Sequence, residues 1–78
     1  MEREQIREIV IEFIQNIIDN DVEITEKSGL MEDLDLSSLE VMTLIADIEQ
    51  EFQIVFAEDE LRSIVFVGDI VNCIYNKE

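Results

Sequence analysis

Glu32-Asp33-Leu34-Asp35-Leu36-Ser37-Ser38-Leu39-Glu40 is the stretch on which the reading of this chain turns. Before it the sequence is polar and irregular; after it apolar residues recur at helical spacing. Ser37 and Glu40 form Ser-x-x-Glu, a capping box in which Ser37 caps the first turn and Glu40 answers three residues later. A helix therefore begins at Ser38, with its hydroxyl at the surface, and should run to about Phe52. Val41, Leu44, Ile45, Ile48 and Phe52 make one stripe for a core, while Glu40, Thr43, Asp47, Gln50 and Glu51 occupy other faces. Beside the stripe, Leu39, Met42 and Ala46 repeat at spacings of three and four. This second apolar strip is either covered by a neighbouring element or a docking surface, for which the flexible methionine side chain is suited.

Upstream, Ile6, Ile9, Val10, Phe13, Ile14 and Ile17 fall on a single stripe, with Glu4, Arg7, Glu8, Glu12 and Gln15 away from it, so a helix is predicted over about residues 3 to 19. Its polar face is mixed to acidic, whereas a membrane-surface helix wants Lys and Arg there. Asn20-Asp21 can end this helix, and Thr25 and Ser28-Gly29 supply turn chemistry. Leu30, Met31, Leu34 and Leu36 should pin the connection to the core. A connection of about 17 residues is unusually long for a small domain, and such loops are often functional. This one delivers the chain to Ser38.

Downstream, Gln53-Ile54-Val55-Phe56-Ala57 has no evident strand partner and reads as a loop packed on the core. Glu58-Asp59-Glu60 place acid in the first turn of a short helix reaching about Arg62, where the helix dipole favours it. Val67, Ile70, Val71 and Ile74 predict a last helix over roughly 67 to 77, with Lys77 suited to its C-terminal end. No strong cap precedes that helix, and Gly68 is unfavourable inside one. The elements add up to one all-α domain spanning 1–78, a bundle of three long helices and one short one.

Composition narrows the function. Twenty Asp and Glu against five Lys and Arg give a net charge of -15. That charge repels nucleic-acid phosphates and anionic membranes, so a macromolecular partner should present a basic patch. At this size about 60 to 65 per cent of the unfolded surface can be buried, enough for a single core. The start Met1-Glu2-Arg3-Glu4 carries no cationic segment leading into an apolar run, and no stretch approaches a membrane span, so a cytoplasmic protein is expected. With no histidine and one cysteine, Cys73, neither a His-based triad nor a Cys/His zinc site can be assembled. Cys73 itself reads as a small core or edge residue. Asp33, Asp35 and Ser37 alternate like the first ligands of an EF-hand, but its sixth position would be Ser38 rather than glycine and its twelfth Leu44 rather than glutamate. No nucleophile and base stand together, so an enzyme is not expected.

Leu30 to Glu40, followed by Ile48-Glu49-Gln50-Glu51-Phe52, closely resembles the acyl carrier proteins. In that family a Glu-Asp-Leu-Gly segment leads into an Asp-Ser-Leu triplet, and the next helix closes on an acidic run and phenylalanine. The resemblance covers nearly the whole chain. It implies an acyl carrier protein-like four-helix bundle whose Ser38 takes a 4′-phosphopantetheine arm from coenzyme A through a phosphodiester. It further implies a phosphopantetheinyl transferase and acyl-handling enzymes with basic docking patches as partners. These would meet Leu39, Glu40, Met42, Thr43, Ala46, Asp47 and Gln50, and an acyl chain would lie against Ile45, Ile48 and Ile64. Fatty acid or related lipid synthesis by a freestanding, monomeric carrier is the expected setting. A dedicated polyketide, aminoacyl or peptidyl carrier, or an unmodified helical adaptor of the same fold, is the alternative. Two positions depart from the family pattern: Asp35 stands where glycine is usual, and Ser37 where aspartate precedes the modified serine. Thr43 and Gln50 are neutral where acid is commoner, while Glu40, Asp47, Glu49 and Glu51 remain acidic.

Overall fold

Every helix in this chain begins in the same way, and that shared start determines where the chain turns. The computed structural model describes residues 1–18 and 21–77 and contains α1 (Arg3–Ile17), α2 (Ser38–Phe52), α3 (Glu58–Ser63) and α4 (Val67–Lys77). In each, the third helical residue turns its side chain back to accept the N–H of the residue before the helix. Gln5 accepts from Glu2 at 3.0 Å, Glu40 from Ser37 at 2.8 Å, Glu60 from Ala57 at 2.7 Å and Asp69 from Phe66 at 2.8 Å. Three of the four acceptors are carboxylates, which also face the positive end of the helix dipole.

The helices fall where the periodicity predicts them, with small differences at their ends. The first stops at Ile17, and Ile18 caps it through its N–H to the Ile14 carbonyl. The remainder of the expected first helix, and Asn20, lie outside the described residues. The short helix runs one residue past Arg62, to Ser63. The start of α4, which lacked a visible cap, is held from inside: Asp69 accepts the N–H groups of both Val65 and Phe66.

One core joins the elements. Ile6, Val10 and Ile14 of α1, Leu44, Ile45 and Ile48 of α2, and Val67, Ile70, Val71 and Ile74 of α4 are buried together with Ile24, Leu30, Leu34, Leu36 and Phe56 from the connections. α1 packs chiefly on α4 and on α2. No residue of α3 is buried. Among the described residues no helix is long and apolar enough to cross a membrane.

The long connection before α2 is pinned as expected at Leu30, Leu34 and Leu36 but not at Met31, which is 53% exposed. A tight turn explains the difference. Asp33 and Leu34 both donate their N–H groups to the Gly29 carbonyl, and the Asp33 carboxylate accepts the Gly29 N–H at 2.6 Å. Leu30 and Leu34 then face inward and Met31 sits on the outside. Three backbone bonds lay the connection along the start of α4: Leu30 to Val65 and Val67 to Ser28, which together form an isolated bridge between Gly29 and Phe66, and Gly68 to Glu26. Gly68 is a glycine because the chain passes so close. An added Cβ would stand 3.1 Å from the Glu26 carbonyl oxygen and 3.2 Å from its Cβ.

Glu26 also closes the molecule electrostatically. Two guanidinium nitrogens of Arg3 donate to its two carboxylate oxygens at 2.7 Å, and Arg3 reaches Asn72 on α4 through Nε at 3.1 Å. The hydrogen bond from Arg3, aided by its charge and that of Arg7, holds the Glu26 carboxyl below its usual pKa. A depressed carboxyl adds stability at pH values above its unfolded pKa, and that stability is lost as pH falls through the folded one. Glu26→Ala should therefore lower urea stability by about 1 kcal/mol at neutral pH, a magnitude limited by partial exposure. The deficit should close as pH drops below the ordinary glutamate range. A deficit that stayed constant through that range would assign the effect to lost packing.

Candidate functional site

The approach to α2 is built around a strained residue flanked by two anchors. Leu34 and Leu36 are buried on either side of exposed Asp35, whose φ of 57° is left-handed. Glycine takes this conformation freely and aspartate tolerates it better than most residues do. The turn at Asp35 and the bond from the Leu36 N–H to the Leu30 carbonyl aim the chain into the helix. This geometry explains why glycine suits the position in sequences of this pattern.

Ser37 and Ser38 are adjacent, but their surroundings differ. Ser37 adopts an extended backbone and its hydroxyl oxygen accepts the Glu40 N–H at 3.1 Å, while Glu40 returns the bond to the Ser37 N–H. The capping box read from the sequence is thus formed, and both its side chains are in use. Ser38 is exposed in the first turn, and among the described residues its hydroxyl has no hydrogen-bond partner. Without an adjacent base it is not an activated nucleophile of its own. It can accept a substituent supplied by another protein. A phosphate there would lie at the N-terminal end of α2, where backbone N–H groups and the helix dipole favour an anion.

Among the described residues none covers the strip beside Ser38. Leu39 is 76% exposed and Met42 58% exposed, and Thr43, Ala46, Asp47 and Gln50 are exposed with them. The Thr43 hydroxyl bonds back to the Leu39 carbonyl at 3.0 Å. Glu49, in contrast, is half-buried and accepts the Phe56 N–H at 2.8 Å, so its charge serves the fold.

A partly enclosed cavity of about 180 Å³ opens one helical turn from Ser38, lined by Val41 of α2, Ile64 and Val65 after α3, and Gly29 to Glu32 of the connection. Of the three residues expected to hold an acyl chain, Ile64 is on its wall. Ile45 and Ile48 are closed into the core at 4% and 0% exposure and are not on that wall. Val41, three residues after Ser38, could have been found from spacing. Val65 could not, because its place depends on the Leu30–Val65 backbone bond. A roomier groove between α1 and the segment Ile24–Lys27 shares no residue with this site.

Other chemistry finds little support nearby. No three Cys, Asp or Glu side chains among the described residues converge as a metal site would require. Burial, together with the nearby Glu60 carboxylate, pushes the half-buried Cys73 thiol up from its usual pKa, which suppresses the reactive thiolate.

Comparison with known proteins fits this geometry. A family model described as a phosphopantetheine attachment site matches residues 4–74. An acyl carrier protein from Exiguobacterium is 36% identical over 78 residues, covering 99% of both chains. A polyketide synthase acyl carrier protein from Streptomyces avermitilis is 38% identical over 65 residues, covering 82% of this chain and 70% of its own. The structure of a candidate acyl carrier protein from Mycobacterium tuberculosis superposes with a TM-score of 0.87 at 30% identity, covering 94% of this chain and 99% of that one. The end-to-end match in sequence and fold, together with an attachment-site model spanning the exposed serine, shows that this chain belongs to the acyl carrier proteins, which bear phosphopantetheine and act as carriers rather than enzymes.

Proposed function

We propose that Ser38 is the attachment point of the 4′-phosphopantetheine arm and that the chain is a freestanding, monomeric, cytoplasmic carrier, folded as one domain, in fatty acid or related lipid synthesis. The observation that carries this reading is the contrast between the two serines: Ser37 is spent on the cap, while Ser38 is exposed and free. When attached, the arm supplies a terminal thiol that holds an acyl group as a thioester.

The chain's own residues bind, orient and shelter. The start of α2 receives the phosphate of the arm, and Leu39, Met42 and Ala46 offer an apolar centre to the enzymes that visit it. Glu40, Asp47 and the net charge of -15 steer basic partners, with Thr43 and Gln50 at the contact. Such attraction speeds encounter, leaves release easy and fades with salt. The cavity at Ile64 shelters an acyl chain entering past Val41. Ile45 and Ile48 continue the Val41 stripe at spacings of four and seven and would be met by a chain that penetrates further.

The strong acidity supports the fatty acid reading, and the Streptomyces avermitilis relative supports a polyketide carrier as the second one. The test has two stages. Purified protein incubated with coenzyme A, magnesium and a broad-specificity phosphopantetheinyl transferase should gain the mass of one arm. The acyl group released from protein isolated from its native source then separates the pathways: straight saturated chains fit lipid synthesis, and chains bearing several unreduced keto groups fit a polyketide. If several transferases leave the mass unchanged, the chain is an unmodified adaptor.

A further inference from the structure

α3 is held to the rest of the molecule differently from the other helices. None of its residues is buried, and Leu61 and the following Ile64 only pack partly against the core. Both of its flanks are fixed. Upstream, Phe56 is 5% exposed and its N–H is bonded to Glu49. Downstream, Val65 and Phe66 are held by the Asp69 carboxylate, the bond to Leu30 and the bridge to Gly29. Among the described residues one polar tie crosses from between these fixed points to α4. Lys77 Nζ, in the last turn of α4, donates to Glu60 Oε1 at 2.8 Å and stands 5.9 Å from the centre of the Phe56 ring. The two side chains are only 25% and 29% exposed, so the pair is better shielded than a typical surface ion pair. The same Glu60 oxygen also accepts the Ala57 N–H that starts α3. Lys77 therefore bears on both the position of α3 and its cap.

The consequence appears at the cavity. Ile64 and Val65, which directly follow α3, line it together with Val41. A volume of about 180 Å³ is close to that of an apolar cavity that holds a benzene ring, so the resting site admits roughly six or seven carbons of an acyl chain. A longer chain needs Ile64, the wall residue that none of those bonds holds, to move. The flanks of α3 are fixed and its face is unburied, so movement requires release of the Lys77 tie.

We infer that Lys77 is a specificity-determining residue: by latching α3 through Glu60 and Phe56, it limits the acyl chain sheltered beside Ile64 to a short one. This inference rests on the acyl-carrying function proposed above, and its test keeps the two separable.

Cys73 reports the latch before any arm is attached. It is the only thiol in the chain, it is half-buried on α4, and it lies within the electrostatic reach of both Glu60 and Lys77. In the unmodified protein, reaction of Cys73 with a chromogenic disulfide reagent should be about fivefold faster in Lys77→Met than in wild type, and nearly unchanged in Lys77→Arg. Loss of the lysine charge alone would slow this reaction, because that charge favours the thiolate. Acceleration therefore reads opening. Glu60→Gln, which keeps an oxygen to cap α3, should accelerate it as well, but loss of a charge that disfavours the thiolate contributes to that rise, so the Lys77 variants carry the test. Circular dichroism on every variant confirms that opening is local rather than global.

Proteins loaded with hexanoyl or tetradecanoyl groups then test chain length through thioester cleavage by hydroxylamine. Wild type should protect the hexanoyl group better than the tetradecanoyl group, and Lys77→Met should slow tetradecanoyl cleavage about fivefold. Unchanged Cys73 kinetics, or the same cleavage ratio in wild type and Lys77→Met, would overturn the latch. Failure of the wild-type protein to accept an arm would instead overturn the proposed function, with the Cys73 result still standing.

Discussion

Ile48→Ala should lower the folding stability of this protein by about 3 kcal/mol, measured by urea unfolding. Ile48 has no exposed surface and sits in the core cluster with Leu44 and Ile45. Truncation loses the transfer energy of three carbons and leaves a void that a tightly packed interior refills only in part. A chain of this length typically has about 4 to 12 kcal/mol in total, so the variant should be near its folding threshold at elevated temperature. The same substitution distinguishes core from cavity wall. If Ile48 lined an open cavity in the resting protein, the stability loss would be below about 1 kcal/mol, because no new void would form. Cavity-wall truncation at Val41, which is only partly buried, should be the milder of the two.

The second large effect is functional. Ser38→Ala should abolish arm loading while leaving stability within about 0.5 kcal/mol of wild type, because the hydroxyl is exposed and without an internal partner. Alanine is also the residue best tolerated in the helix it would occupy. Ser37→Ala should behave in the opposite way. It removes the oxygen that accepts the Glu40 N–H and should cost about 1 kcal/mol, yet it leaves the Ser38 hydroxyl in place and loading should persist. On this account two neighbouring residues of one type should separate into a structural role and a chemical one. Intact mass and urea unfolding on the same pair of variants read both.

The pair also illustrates what the sequence makes legible. The capping box, the stripes of α1, α2 and α4 and the second apolar strip at Leu39 and Met42 are local patterns, set by residues three or four apart, although spacing left open whether that strip was covered. They are present in the structure as their spacing predicts. What spacing does not reveal depends on contacts between distant segments. The start of α4 showed no cap because its cap, Asp69, reaches backwards from within the helix to Val65 and Phe66. Gly68 looked unfavourable because its reason is the backbone of Glu26, more than forty positions away. Met31 counted as an anchor by its apolar side chain, but the turn between Gly29 and Asp33 turns it outward. The proposed attachment site rests on the same kind of signal as the helices: it is a short continuous motif. The cavity was only partly so, since its wall combines α2 with residues brought over by the Gly29–Phe66 bridge.

Asp35 connects local strain to this site. Its left-handed backbone is the one feature of the approach to α2 that glycine would adopt more cheaply, and it lies three residues before Ser38. The buried leucines on either side hold it there, so the helix start, and with it the serine, is positioned by packing as well as by the cap.

The central claim is that Ser38 alone carries the arm. Wild-type protein should be loaded with coenzyme A by a phosphopantetheinyl transferase, digested, and its peptides fragmented by tandem mass spectrometry. The expected result is a single modified peptide spanning the start of α2, with the arm's mass assigned to Ser38 and none to Ser37. An arm on Ser37, or on a serine elsewhere in the chain, would contradict the account.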